Sequence, residues 1–442
     1  VNTPDEADEP PSPAPAHDAY AAIRLGNFRR YWLGNLLSIL GMQMQSVTVV
    51  WEVYERTNDP FSIGLVGLVL VIPVLSLALV GGHVADRYDR RLVLSGALLL
   101  NCIASLGLAA VSFFEWHIAG LYGSLFLIGV ARAFQQPAKS SLLPQIVPRG
   151  VFANAVTWNL GGFQLAAAVG PALGGISLAL TGQEFYAYLF QAGAALAFIG
   201  LLTKIERKQV VFTPEPTTMR TLVEGFEFVW RNKVVLGAMA LDMFAVLLSE
   251  AKALLPIFAE DILHVNEVGY GCLAAAESIG ALSMSLAMMH RKPIAKAGQS
   301  LLWSVAGFGL SSVVFGLSRS FLLSFFALLA MGAFDCVSVI IRHTLVQMLT
   351  PDRMRGRVSA ISGMFISASN ELGEFESGTL ARLTSAVFAV VFGGAATLFV
   401  VIGAAAGIPE LRKYGRLDGH DLPPEEPQRQ EEMEAEAKLD AV

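Results

Sequence analysis

A set of ionisable residues interrupts the apolar runs of this chain: Arg132, Asp242, Glu250, Lys252, Glu277, Asp335, Glu371, Glu374 and Glu376. A charge in hydrocarbon is costly unless it faces a partner or a water-filled cavity, so each marks a candidate path for ions or substrate. The densest group is SNELGEFESG at 369–378, where Glu371 and Glu374 stand at i, i+3 on neighbouring faces of one helix near its middle. Two ionised carboxylates one turn apart repel, so one of the pair is expected to hold its proton. The chemistry that follows is proton carriage, with Glu371, Glu374 and Asp242 as coupling candidates. The alternative for these acids is a helix face open to an aqueous cavity. Glu250 and Lys252 stand two apart, a spacing that points them different ways and makes each a candidate rim residue rather than a pair.

Bond-making chemistry is not expected. The chain lacks a Gly-x4-Gly-Lys-Ser/Thr loop, so ATP is not the expected energy source, and it lacks His-Glu-x-x-His and Cys-x-x-Cys. His83, His117, His264, His290 and His343 are scattered, and Cys102, Cys272 and Cys336 form neither a disulfide framework nor a zinc spacing. No metal, no cofactor and no nucleic-acid partner is expected. A membrane enzyme is a remote reading, because no nucleophile–base or metal constellation is present.

The elements that must hold these charges follow from composition. The 442-residue chain is 54% hydrophobic and 15% charged, against roughly 25% charged in soluble domains. Its apolar segments run about 18 to 25 residues, the length of a spanning helix, and lipid leaves helices as the form that satisfies such backbones. The reading is an all-α membrane protein of twelve helices, at about 28–53, 61–82, 91–113, 117–143, 152–181, 184–203, 234–258, 267–289, 297–317, 321–349, 356–383 and 385–407. Residues 1–27 and 409–442 read as acidic, proline-containing tails, with no basic leader at the start and a short helix near 428–438. Segments 28–203 and 233–408 are expected as two six-helix bundles, joined by a cytoplasmic linker at 204–232. Within the linker Leu222, Phe226, Val229 and Trp230 recur at helical spacing. That piece either lies along the membrane surface or caps one bundle.

Lysine and arginine set the orientation. Arg24, Arg29, Arg30, Arg87, Arg90, Arg91, Arg291, Lys292, Lys296, Arg353, Arg355 and Arg357 fall on one side, while Arg56, Arg319 and Arg382 fall on the other. Both termini are therefore expected in the cytoplasm. The halves also repeat: LLPQIVPRGVFANAVTWN at 142–159 matches LVQMLTPDRMRGRVSAIS at 345–362, with Pro148 against Pro351 and Gly170 against Gly373. Duplicated six-helix units are common in secondary transporters.

GGHVADRYDRRLVL at 81–94 resembles the loop signature between helices 2 and 3 of the major facilitator superfamily, carried by Gly82, Asp86, Arg90 and Arg91, with Asp89 where a second glycine is usual. RAFQ at 132–135 is similar to the helix 4 motif, although Gln136 replaces the next glycine. GPALGG at 170–175, with Gly170, Pro171, Gly174 and Gly175, is similar to the end of the helix 5 signature of exporters. VGGHVADRYDRR, GFEFVWRNK and TLVQMLTPDRMRGRVSAISG most resemble the enterobactin-exporter-like and drug–proton antiporter group.

The resemblance implies alternating access about a midplane cavity lined by helices 1, 4, 7 and 10. It implies Gln43, Phe134, Gln135, Phe244 and Glu250 as substrate-path candidates. It also implies an Arg132–Asp335 charge pair across the cavity, at repeat-equivalent depths. Trp51, Tyr54, Trp158, Phe334 and Phe365 add aromatic surface suited to an amphipathic molecule such as a siderophore, drug or lipid-like metabolite. The implied protein is a monomeric, proton-driven exporter of a prokaryotic inner membrane, in contact with membrane lipids. An importer or uniporter, and a non-transporting sensor or scaffold of the same fold, are the alternatives. Physical reasoning adds that Gly81 and Gly82 allow close helix packing, and that Asp86 can meet the positive end of helix 11 near Met354–Val358 as a cytoplasmic latch.

Overall fold

The computed structural model describes residues 18, 20–205, 219–289, 294, 296–351 and 354–415. Its long helices are α1 (Gly26–Thr57), α2 (Pro60–Arg87), α3 (Arg90–Phe113), α4 (Ala119–Ile146), α5 (Phe152–Thr181), α6 (Phe185–Thr203), α7 (Lys233–Ser249), α8 (Glu267–Met289), α9 (Ala297–Leu317), α10 (Phe321–Leu349), α11 (Arg355–Leu383) and α12 (Ala386–Gly407). Ten helical stretches among the described residues are long and apolar enough to cross a membrane. Helices α4 and α11 are outside that set, and they carry the charges of the site described below.

Local signals explain several boundaries. Asp59 caps α2 by accepting from the Phe61 N–H at 3.2 Å, with Pro60 in the first turn, where a missing N–H costs nothing. Asp89 caps α3 by accepting from the Arg91 N–H at 2.9 Å, which gives this departure from the family signature a structural role. Asn232 and Ser385 cap α7 and α12 in the same way. Helix α7 does not run on to 258 as expected. It stops at Glu250, whose backbone is extended, and continues as a short irregular helix through Ile262.

The ends of the fold are more ordered than the sequence reading had them. A turn of helix at Ala21–Arg24 packs on α5, with the Ala22 N–H donating to Asn154 Oδ1 at 3.0 Å. The helix Pro409–Lys413 buries Leu411 against Gly298 of α9. The linker helix Met219–Arg231 does form, but its apolar residues divide. Val229 is buried among α7, α10 and α11 residues, whereas Phe226 and Trp230 are exposed and stacked on each other. Glu224 of this helix accepts from Arg357 of α11 at 2.7 Å. The expected helix near 428–438 lies outside the described residues.

Helices α1–α6 pack among themselves, through α2 on α4, α3 on α4 and α6, and α1 on α5 and α6. Helices α7–α12 do likewise, through α8 on α10, α9 on α10 and α12, and α7 on α11 and α12. The groups meet chiefly along α2 against α11 and α5 against α8. Both seams depend on glycine. Gly64 and Gly378 approach each other across one, and Gly175 and Gly271 across the other, so closely that a Cβ would strike backbone. Gly170 and Gly174 serve instead within the first group, against Gln43 and Met44 of α1, and Pro171 is buried beside them. The Gly81 and Gly82 pair behaves unequally: Gly81 lies against the Ala133 carbonyl of α4, whereas Gly82 faces open space.

One end of the molecule is sealed between the groups. Trp51 of α1 stacks near Tyr270 of α8 with ring centroids 4.9 Å apart, and the Tyr270 hydroxyl donates to the Val47 carbonyl at 2.9 Å. The Tyr54 hydroxyl donates to Asp261 at 2.5 Å, and Arg382 pairs with Asp59 at 3.5 Å. A single buried apolar cluster spans both groups there. At the end that carries the chain termini, the apolar clusters are instead separate, and none spans both groups: one lies in the first and two lie in the second.

Candidate functional site

Where the sealed end stops, α1, α2, α4 and α11 enclose a cavity of about 50 Å³. Its wall is apolar on three helices, from Met42, Val49, Val66, Leu70, Leu125 and Ile128. Five polar side chains line it: Gln45, Ser46, Arg132, Glu371 and Glu374. Arg132 Nη1 donates to Glu371 Oε1 at 3.1 Å, an ion pair that joins α4 of one group to α11 of the other. Glu374, one turn further along α11, makes no ion pair or hydrogen bond among the described residues; its carbonyl packs on Gly64 of α2 and its side chain on Gly67, beside the Glu371 carbonyl. The glycines explain how two acids come so near a neighbouring helix, since only a residue without Cβ leaves that space.

The expected Arg132–Asp335 pair does not form. Arg132 reaches across to α11, and Asp335 instead feels the charges of Lys252 and Glu277. The break in α7 is the physical reason for this second cluster. It turns Lys252 so that its ammonium lies 3.1 Å from Glu277 of α8 and 3.7 Å from Glu250, whose carboxylate also accepts from the Lys252 N–H at 3.3 Å. The reading of Glu250 and Lys252 as divergent rim residues assumed a continuous helix and is therefore corrected.

Asp242 is also placed differently from the reading of it as a proton carrier near the helix end. It is buried, 6% exposed, and salt-bridged to Arg342 of α10, itself 3% exposed. Arg342 was not singled out in the sequence, although an arginine inside the apolar run 321–349 is the same kind of signal as Arg132. Glu52 was missed too. It is buried in α1, accepts from Tyr188 at 2.5 Å and pairs with Arg56 at 2.6 Å.

Of the path candidates, Gln135 is buried with its Nε2 unpartnered, one turn from Arg132. Gln43 faces α5 at Gly170, and Gln45 takes the cavity position. Phe134 sits where α4 meets Gly81, and Phe244 is exposed on α7, away from the cavity wall. Trp51 and Tyr54 belong to the seal rather than the path. At the loop signature, Arg91 donates to the Ile205 carbonyl at 2.5 Å, tying α3 to the end of α6, and Arg90 is half-buried beside it. The Asp86 side chain, and with it the latch, lies outside the described residues. Among the described residues no group of His, Cys, Asp and Glu is arranged to hold a metal.

Two six-helix groups, meeting along glycine seams and bridged by one ion pair beside a cavity, define a transporter of the major facilitator superfamily. The chain belongs to the family described as transmembrane secretion effector, whose profile matches residues 17–438. The enterobactin exporter EntS of Citrobacter koseri is 25% identical over 396 residues, covering 88% of this chain and 93% of that one. The fold is similar to that of the nucleoside transporter NupG, with TM-score 0.67 and 14% identity over 88% of this chain and 99% of that one. It is also similar to a bacterial homologue of the iron transporter ferroportin in an inward-facing state, with TM-score 0.67 and 15% identity over 86% and 98% of the two chains.

Proposed function

We propose that this protein is a proton-coupled exporter of an amphipathic small molecule, working by alternating access in a prokaryotic inner membrane. In this reading all twelve long helices span the bilayer, both termini are cytoplasmic, and residues 28–203 and 233–408 rock as two bundles. The end bearing the termini is then the open one, and the molecule faces inward. The substrate is a siderophore, drug or lipid-like metabolite, and the relatives named enterobactin exporters favour the first.

The carrying observation is the Arg132–Glu371 pair, with unpaired Glu374 one turn away. The pair joins the two bundles at the inner edge of the seal, so it must break or reform as they rock. Protonation of Glu371 cancels its charge and releases Arg132, and Glu374 is the adjacent carboxyl that can take up or pass on a proton. A proton arriving from outside would thereby loosen the outer closure at the step where substrate must leave. The apolar wall from α1, α2 and α4 suits a largely apolar cargo.

The test uses energised everted vesicles containing the full chain, with ethidium and enterobactin as cargo. Uptake that collapses when nigericin dissipates the pH gradient is the expected result. Uptake indifferent to the gradient points to a uniporter, and movement in the opposite sense points to an importer. No movement of a broad panel of amphipathic compounds points to a sensor or scaffold.

A further inference from the structure

The two groups repeat, and glycine contacts give the register. Gly170 of α5 meets Gln43 of α1 as Gly373 of α11 meets Glu250 at the end of α7. Gly129 of α4 packs on Leu70 of α2 as Gly332 of α10 packs on Glu277 of α8. These contacts relate α1 to α7 by 207 residues, and α4 and α5 to α10 and α11 by 203.

On this register Lys139 corresponds to Arg342, and Asn35 corresponds to Asp242. In the second group that cation and that acid form a buried salt bridge. In the first group the acid has become an amide. Asn35 is 4% exposed, and its Nδ2 donates to Asn159 at 3.0 Å, while its Oδ1 has no partner. Lys139 makes no ion pair or hydrogen bond among the described residues. Its Nζ lies 6.0 Å from the ring centroid of Phe198. Among the described residues, the first group therefore holds a half-buried cation without the counter-charge that its repeat mate has.

The same face of α4 carries more unfilled donors. Gln135, one turn before Lys139, is 8% exposed with Nε2 unpartnered, and Arg132 Nε is buried without an acceptor. Residues 132, 135 and 139 follow i, i+3, i+7 spacing, so they rise along one face over about 10 Å. Arg132 already lines the cavity, and Lys139 lies nearer the unsealed end. A row of donors with an uncompensated cation is complementary to an anion rich in acceptor oxygens, since charge-assisted hydrogen bonds are the stronger kind.

We propose that Lys139 and Gln135 form an anion-recognising subsite in the transport path, taking a carboxylate or phenolate group of the cargo. The proposal rests on the exporter reading and names a chemical feature of its substrate. The bound anion supplies to Lys139 the charge that Asp242 supplies to Arg342.

The full-length protein in detergent is titrated with naphthoate and with its neutral isostere naphthamide, by calorimetry. Naphthoate should bind about tenfold more tightly, a difference of roughly 1.4 kcal/mol. Lys139→Met should erase that preference, and Lys139→Arg should keep it. Asn35→Asp should erase it as well, because an internal carboxylate then fills the site, the Asn159 amide turning to offer its N–H₂. In thermal melts Asn35→Asp should raise Tm when Lys139 is present and lower it in Lys139→Met. Equal affinity for the two compounds, binding of neither, a preference that survives Lys139→Met, or an Asn35→Asp effect independent of residue 139 would each overturn the subsite. These readouts need no transport. Loss of gradient-driven flux with the naphthoate preference intact counts against proton-coupled export alone.

Discussion

Helices α4 and α10 occupy equivalent places in the two groups, yet they satisfy their charges differently. On α10, Arg342 is paired inside its own group with Asp242, and Asp335 feels the charges of Lys252, just past the break in α7, and Glu277 of α8. On α4, Arg132 finds its acid only in the other group, at Glu371, and Lys139 finds none among the described residues. A charge neutralised within its own bundle is indifferent to how the bundles rock. A charge neutralised across the cavity, or by cargo, changes partners with each step. In the proposed mechanism the Asp242–Arg342 pair is therefore scaffold, and the α4 face is the working surface.

The largest expected effect breaks the scaffold side. Asp242→Asn leaves Arg342 buried without its acid and should cost about 3–5 kcal/mol, seen as a large fall in Tm in detergent. The double variant Asp242→Leu with Arg342→Met should recover most of that loss, because an apolar pair needs no compensation. A single variant as stable as the wild type would remove the scaffold role.

A smaller effect sharpens the working side. A double-mutant cycle of Arg132→Gln and Glu371→Gln, followed by unfolding, should give a coupling of about 1–3 kcal/mol. The cycle of Arg132→Gln and Asp335→Asn should be additive to within about 0.5 kcal/mol, since these residues do not meet. The reverse pattern would restore the Arg132–Asp335 pair expected from the sequence.

The seams separate two glycines that look alike in the sequence. Gly64→Leu places a side chain where Gly378 and the Phe375 carbonyl stand. It should push apart the sealed ends of α2 and α11, lengthening a spin-label distance between them. Gly82→Ala faces open space and should change stability by no more than about 1 kcal/mol, with the sign toward stabilisation that replacing a helical glycine brings. The smallest effect is Tyr54→Phe. It removes the hydrogen bond to Asp261 and should weaken the seal by about 1 kcal/mol, read as a modest shift of the same spin-label distances.

The helices were legible because apolar run length is dictated by the bilayer, whatever the partners are. Glu371, Glu374 and Arg132 stand out in the sequence because a charge in an apolar run needs a reason. Their pairing was not legible, because it depends on α11 lying close against α2 at the seam glycines Gly64 and Gly67, and no local pattern announces which helix those glycines admit. The Glu250–Lys252 contact was hidden by a helix break that carries no proline or glycine at 249–253. Asp242 reads as a carrier in the sequence because its neutralising arginine is a hundred residues away, on another helix.

The most direct test of the account is cargo flux in proteoliposomes carrying the wild type, Glu371→Gln or Glu374→Gln, each with and without an imposed pH gradient. The account predicts that Glu374→Gln still moves cargo down its own gradient but no longer responds to the proton gradient. Glu371→Gln, which removes the acid that holds Arg132, should shift the pH dependence of flux. Wild-type gradient dependence in both variants would contradict the account and move proton coupling away from the α11 acids.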